Sequence, residues 1–345
     1  MIHEILLKEG LNKNDITSLL QIEDNFDVTS LFEKADEVRK KYCGNDVHLR
    51  GIIEISNYCE QNCVYCGLRL NNKSLQRYRL NLDEILTAAL AIREAGIQTI
   101  VIQSGEDFKI TTDEVAEIIL KIQNTTGAAI TLSLGERSFE DYKIWKDAGA
   151  DRYLLKHETA NPNLYTKLHC GQKLDERIEH LRRLKLLGYQ AGSGNMVGLP
   201  GQSLEDIADD IILCKELDVD MASFSPFLSS PDTPYKNKQS ANLALVLKTL
   251  AVARIVLKNV HMPATTALAA LHKDGYEKGL LAGANVIMPN FTPKGYKEKY
   301  LIYPNKNRVD KETSVQLESI RNLTTSLGRN ISATYGHSLK QFVNR

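Results

Sequence analysis

The chain has 345 residues with 43 basic and 43 acidic side chains, a formal net charge of zero and a pI near 7.1. Without excess charge there is no global field to draw it to nucleic acid or an anionic membrane surface, so the expected partner is a small molecule or a protein. The amino terminus lacks the basic stretch and apolar core of a signal peptide, and no run of about 18 apolar residues occurs; a soluble, cytoplasmic protein is expected.

Residues 1–48 read as charged and helical, an amino-terminal extension that caps the lower end or one side of the main fold. The run 49–55 is apolar and β-branched, the pattern of a buried strand. Directly after it stands Cys59-Glu-Gln-Asn-Cys63-Val-Tyr65-Cys66. A structural zinc site closes with four ligands, and an ordinary 4Fe–4S carrier uses four cysteines. Three thiolates at C-x3-C-x2-C spacing therefore predict a cluster with one iron open to a substrate or cofactor. Spacing alone leaves open three structural cysteines, or a zinc site that borrows a distant ligand. Cys43, Cys170 and Cys214 are isolated in the sequence and read as free thiols rather than a disulfide framework.

Further along, short apolar runs alternate with amphipathic ones. Strands are predicted at 99–103, 129–133, 152–155, 190–196, 221–224, 261–266 and 285–288. Helices are predicted at 82–94, 112–123, 139–148, 174–187, 204–217, 243–257 and 275–282. With the first strand this makes eight strands in βα order, an α/β chain with a (β/α)8 TIM-type barrel over 49–290. An open doubly wound sheet is the alternative. Residues 291–345 read as a lid and a helical tail, with a helix near 314–327.

Barrel active sites gather past the strand ends, and the chain's unusual residues fall there. Ser104-Gly105-Glu106-Asp107 follows the second strand; glycine permits close backbone approach and a carboxylate accepts from an ammonium, although a turn with a helix cap reads the same way. Glu158 ends the fourth strand, where its carboxylate can accept from two neighbouring hydroxyls of a ligand. Arg177, on the next helix, offers a fork suited to a carboxylate, although a lone helical arginine is commonly a solvated surface group. Met196 opens a Met-Val-Gly-Leu-Pro-Gly turn that reads as a plain βα turn or as an apolar wall for a ligand. His157 reads as a hydrogen-bonded core residue. Lys156, Thr265, Thr266 and Met288 also end strands. A cationic head, two hydroxyls and a thioether suit a small zwitterionic or sulfur-bearing ligand. Tyr300 and Tyr303, three apart, are expected to share a helical face as a lid.

The cysteine run, with an aromatic residue before its last cysteine, resembles the signature of the radical S-adenosylmethionine (SAM) superfamily. The strings Ile53-Glu-Ile-Ser-Asn57, Gln103-Ser-Gly-Glu-Asp107, Thr131-Leu-Ser-Leu-Gly-Glu136, Asp151-Arg-Tyr-Leu-Leu155, His157-Glu-Thr-Ala-Asn161, Met196-Val-Gly-Leu-Pro-Gly-Gln202, Pro263-Ala-Thr-Thr266 and Gly283-Ala-Asn-Val-Ile-Met-Pro-Asn290 together resemble the HydE family of FeFe-hydrogenase maturases. The resemblance implies one 4Fe–4S cluster on Cys59, Cys63 and Cys66. It implies SAM contacts at Tyr65, Gly105, Glu106, Ser133, Glu136, Glu158, Arg177 and Met196, and a substrate cavity at Lys156, Thr265, Thr266, Met288, Tyr300 and Tyr303. The implied activity is reductive cleavage of SAM to a 5'-deoxyadenosyl radical that acts on a cysteine-bound iron carbonyl cyanide synthon. The implied partners are that small organometallic or amino-acid-like substrate, an electron donor and the other hydrogenase maturases.

Two departures stand out. HydE proteins often carry extra carboxy-terminal cysteines for an accessory cluster, whereas residues 303–345 contain none, so a single cluster is expected. Lys156 stands where such chains tend to have arginine, which replaces a bidentate fork by a point charge. The alternatives are a radical SAM mutase or sulfur-inserting enzyme of the methylornithine synthase or biotin synthase type and, from another class, a non-catalytic metal-binding scaffold.

Overall fold

A computed structural model describes residues 2–306 and 312–340. The strands are β1 (Asp46–Leu49), β2 (Gly51–Ser56), β3 (Thr99–Ser104), β4 (Ala129–Ser133), β5 (Arg152–Leu154), β6 (Gln190–Val197), β7 (Met221–Pro226), β8 (Val286–Ile287) and β9 (Asn330–Ile331). A six-stranded sheet runs in the order β2-β3-β4-β5-β6-β7, and a three-stranded one in the order β8-β1-β9; every pairing is parallel. Parallel bridges from Met221 to His261, Pro263 to Val286 and Ile52 to Asn290 join the two sheets. Pairing thus passes from β7 through segment 261–263 to β8 and back to the β1–β2 stave, so the ring closes as a barrel.

The helices between the staves start where the sequence supplies caps. Asn81 and Glu84, Thr111 and Glu114, Ser138 and Asp141, and Ser203 and Asp206 each form a reciprocal capping box, which satisfies two orphan N–H groups per helix start. Each helix then turns an apolar stripe such as Ile85, Ala88, Ala89 and Ile92 to the barrel wall. The amino-terminal helices lie along one side. Helix Lys13–Gln21 packs on helix Leu204–Glu216, and helix Asn25–Cys43 on helix Leu243–Leu257.

Four expectations are corrected. No regular strand forms over 261–266: Pro263 has no N–H to give a ladder, and Thr265 already caps helix Thr266–Leu271. An additional helix, Pro162–Leu168, starts at the Asn161 cap with proline in its first turn. β1 begins at Asp46, inside the stretch read as helical. Tyr300 and Tyr303 share no helical face, because the helix before them ends at Lys297. The tail also does more than form a helix, Thr313–Ser326. It adds β9 beside β1 and then runs beneath the barrel, where Tyr335, Gly336 and His337 offer carbonyls to Arg152, Arg50 and His261.

Candidate active site at the barrel mouth

The cysteine loop leaves β2 at the carboxy-terminal end of the staves and is held from three sides. Glu60 N–H donates to the Glu106 carbonyl at 2.9 Å, Val64 N–H to the Leu168 carbonyl at 2.9 Å, and Gly67 N–H to the Ile302 carbonyl at 3.0 Å. Its base is clamped by Asp107, fully buried, which accepts from Ser56 Oγ at 2.6 Å and from Arg79 Nε at 2.6 Å. Asp107 therefore serves the loop and is not an open ammonium acceptor. Glycine at 105 is required by proximity, since a Cβ there would run into the Tyr58 carbonyl oxygen and Cys59 Cβ.

A cavity of about 350 Å³ opens beside this loop. Its wall includes Cys59, Cys63, Cys66 and Tyr65, then Gly105, Glu106, Ser133, Glu158, Arg177 and Met196, and also Lys156, Thr265, Thr266, Met288, Tyr300 and Tyr303. Of the candidate residues only Glu136 is outside the lining, and it touches the site through Arg177. A larger hollow of about 540 Å³ lies between the amino-terminal helices and segment 255–260, but it gathers none of the cysteine loop.

All three loop cysteines are free thiols. Burial pushes each of them upward, Cys66 to about 12 and Cys63 well above its ordinary value, with the neighbouring cysteines adding to the shift in both. Crowded, half-buried thiols of this kind become thiolates only beside a cationic partner, and iron is one that deprotonates its ligands outright. Among the described residues no three His, Cys, Asp or Glu side chains converge on a point that could hold a single ion. A loop with three cysteines and no fourth suits a cluster with one open iron better than a closed four-ligand zinc site. Cys63 Sγ also lies 3.4 Å from His169 Nδ1. Burial first, and then the Arg177 charge, lowers His169 to about 3, so it is neutral at pH 7.

Beside the loop stands a carboxylate and guanidinium set. Glu106 accepts from Gln61 Nε2 at 2.6 Å and from Glu136 N–H at 3.1 Å. Burial raises its carboxyl above the ordinary value, against the pull of Arg177. Arg177 donates from Nε to Glu136 Oε1 at 2.5 Å and from a terminal nitrogen to the Lys156 carbonyl at 2.8 Å. Gly135 takes φ +78°, and a Cβ there would strike Glu106. Glu158 sits at φ +63°, a left-handed conformation locked by its N–H to the Gly194 carbonyl and its carbonyl to Met196 N–H, both at 3.0 Å. Such strain persists only where the surroundings over-determine it, and it clusters at functional sites. Lys156 Nζ lies 2.9 Å from Glu158 Oε2 and donates to Ser225 Oγ at 2.8 Å. Met196 packs with Leu164, Leu168, Leu199 and Phe227. His157 is fully buried, its Nδ1 2.9 Å from Ser193 Oγ. Thr265 Oγ1 accepts from Leu268 N–H at 3.1 Å, so that hydroxyl is engaged by a helix cap.

The Radical SAM superfamily pattern matches residues 53–214. The chain is 43% identical to the [FeFe] hydrogenase maturase subunit HydE of Thermotoga maritima, over 99% of this chain and 98% of that one. The chain belongs to the HydE family of radical SAM enzymes. It is also 31% identical to 3-methylornithine synthase of Methanosarcina acetivorans, over 80% of this chain and 79% of that one. Among solved structures it is similar to methylornithine synthase (PylB), with a TM-score of 0.84 and 25% identity over 96% of this chain and 97% of that one. The maturase HydG from Carboxydothermus hydrogenoformans shares the fold, with a TM-score of 0.83 at 22% identity over 95% of this chain and 78% of that one. As a HydE-family radical SAM enzyme the chain uses a 4Fe–4S cluster and SAM.

Several cavity residues were not among those anticipated. His169 follows the unforeseen helix, and Gln61 lines the cavity beside Glu106, its Oε1 accepting from Gln172 Nε2 at 2.9 Å behind the wall. Glu54 and Lys306 meet in the cavity wall, their charged atoms 2.9 Å apart. Glu54 had a readable signal, a carboxylate inside the apolar run Ile52-Ile53-Glu54-Ile55. Lys306, in a polar tail, had none.

Proposed function

We propose that this chain acts in assembly of the diiron subcluster of the FeFe-hydrogenase H-cluster, working on a cysteine-bound iron carbonyl cyanide synthon. The observation that carries this reading is 43% identity to a HydE maturase along essentially the whole of both chains. Cys59, Cys63 and Cys66 would hold the cluster, leaving one iron for SAM. When bound, cluster and SAM supply one-electron cleavage of the sulfonium to a 5'-deoxyadenosyl radical.

The chain's own residues bind, orient and exclude water. Glu106 would accept from the methionine ammonium and Arg177 would face its carboxylate, with Ser133 and Glu136 supporting that end. Glu158 takes the ribose hydroxyls, with Tyr65 and Met196 along the adenosine. Lys156, Thr266, Met288, Tyr300 and Tyr303 face the substrate. Leu155, Phe227, Leu228 and Ile302 in the same wall would keep bulk solvent out, so that the radical meets the substrate in a dry, fixed geometry. A one-electron donor and the other maturases complete the set of partners.

The test is anaerobic reconstitution followed by two assays: SAM cleavage under reducing conditions, and activation of an apo-hydrogenase in a defined mixture of maturases with and without this chain. Loss of activation on omitting the chain is the expected result. Turnover of lysine or dethiobiotin with no effect on hydrogenase would move the chain to the mutase or sulfur-insertion reading, which the 31% identity to a 3-methylornithine synthase favours among alternatives.

A further inference from the structure

The residues that face SAM and substrate leave one charged pair in the cavity wall without a role. Glu54, on β2, and Lys306, in the carboxy-terminal segment, both line the cavity, and their side chains are only 3% and 4% exposed. Lys306 Nζ lies 2.9 Å from Glu54 Oε1 and 3.1 Å from Oε2. Asn290 Nδ2 donates to the same Oε2 at 3.0 Å, and the Lys306 ammonium stands 5.4 Å from the centre of the Tyr300 ring.

We propose that Glu54 and Lys306 form a zwitterion clamp that holds the α-amino-acid head of the substrate, Glu54 taking its ammonium and Lys306 its carboxylate. A buried ion pair by itself gains little over well-packed apolar residues, because desolvation offsets the attraction. One that faces a cavity is different. An amino-acid head lying antiparallel against it makes a ring of four alternating charges, in which each charge meets two of opposite sign and the original pair stays closed. A neutral ligand makes none of these contacts, and a singly charged one makes only half of them while setting its charge beside the like-charged member of the pair, which in a low-dielectric wall is costly. The pair is also separate from the set around Arg177, Glu106 and Glu136, so it does not compete for SAM. The clamp rests on the proposed substrate reading, since a cysteine-bound synthon carries such a head.

The test uses anaerobically reconstituted full-length protein with SAM present, and titration calorimetry with three probes: L-cysteine, cysteamine, which lacks the carboxylate, and 3-mercaptopropionate, which lacks the ammonium. The unmodified protein should prefer L-cysteine over each analogue by at least about tenfold, the scale of one charge-assisted hydrogen bond. Glu54→Gln should lose the preference over 3-mercaptopropionate and keep that over cysteamine; Lys306→Met should do the reverse. Each variant thus serves as the folding control for the other. Equal binding of the three probes, no binding, or unchanged preferences in both variants would overturn the clamp and leave the pair as a strap for the carboxy-terminal segment. The hydrogenase assay fails or succeeds independently. A clamp with no maturation refutes the function alone, and maturation without probe discrimination refutes the clamp alone.

Discussion

The two ends of the barrel both bury cations, and they neutralise them differently. At the mouth Lys156 lies 2.9 Å from Glu158, Lys306 2.9 Å from Glu54, and Arg177 2.5 Å from Glu136, beside open volume. At the floor Arg152 donates to the Tyr335 carbonyl at 2.7 Å and to Gln190 Oε1 at 3.1 Å, and Arg50 to Met221 Sδ at 2.7 Å and the Gly336 carbonyl at 3.3 Å. Carboxylates beside a cavity can share or exchange their partners with a ligand, whereas backbone dipoles in a packed floor cannot. The mouth is thus arranged for recognition and the floor for holding the chain together, the division expected of a (β/α)8 barrel. The carboxy-terminal tail serves both ends, through Lys306 above and residues 335–337 below.

The largest expected effect breaks the mouth. Cys63→Ala removes one of the three proposed cluster ligands, and reconstituted iron should fall from about four per chain to below about one. SAM cleavage should be lost with it, by about a thousandfold or more. A variant that kept about four irons would remove this loop as the cluster site.

Next come substitutions that set the two ends against each other. Arg152→Met removes a charged donor from the Tyr335 carbonyl and from Gln190 Oε1, leaving them to Thr99 Oγ1 and Ser338 N–H, and should cost about 2 kcal/mol in urea unfolding of the cluster-free protein, with SAM affinity unchanged. Glu158→Gln should do the opposite, weakening SAM by about tenfold while shifting unfolding by no more than about 1 kcal/mol, the scale of its ion pair with Lys156 beside open volume. Arg177→Ala should also weaken SAM, but it frees Glu136 and the Lys156 carbonyl as well and mixes the two effects. If Glu158→Gln changed stability and not SAM affinity, the mouth would be as structural as the floor.

A smaller effect sharpens the picture of the floor. Burial first, and then the positive charge of Arg50, lowers His48 to about 4; the same two causes hold His261 well below its ordinary value. Both are neutral in the folded chain and would protonate near pH 6.5 in the unfolded one. The unfolded state therefore binds more protons between these values. Stability should be complete above pH 6.5 and fall as pH drops from about 6.5 towards 4. His48→Phe should flatten that fall in thermal melts of the cluster-free protein, and an unchanged slope would show that carboxylates alone set it.

Much of the frame was legible because helix starts are local. Helices 82–94 and 243–257 and strand 129–133 are found at their expected limits, since caps and periodicity lie within a few residues of one another. Segment 261–266 misled because Pro263 and the Thr265 cap compete with an apolar run that otherwise reads as a strand. β9 is two residues long and exists only by pairing with β1, far away in the chain. The same distance hid part of the site. The cysteine spacing announces itself within eight residues, whereas Glu54 and Lys306 are 252 residues apart. Their meeting depends on closure of the barrel and the path of the tail.

Thr265 and Thr266 give the finest division between fold and recognition, because both line the mouth and only one is committed to a cap. Thr265 Oγ1 accepts from Leu268 N–H at the start of helix Thr266–Leu271. Thr265→Val keeps the shape and removes the acceptor, and should cost about 1 kcal/mol of stability, the usual scale of a lost cap; Thr265→Ser should restore it. Hydrogenase maturation should change by less than about threefold in either, a shift of under 1 kcal/mol. Thr266→Val should leave stability within about 0.5 kcal/mol and slow maturation by about tenfold, the worth of one hydrogen bond to substrate, as should Lys156→Ala, with SAM cleavage uncoupled from substrate continuing. The decisive comparison is between neighbours: if Thr265→Val slowed maturation more than Thr266→Val, the cap hydroxyl itself would face the substrate, and the boundary between the two uses of the mouth would move by one residue.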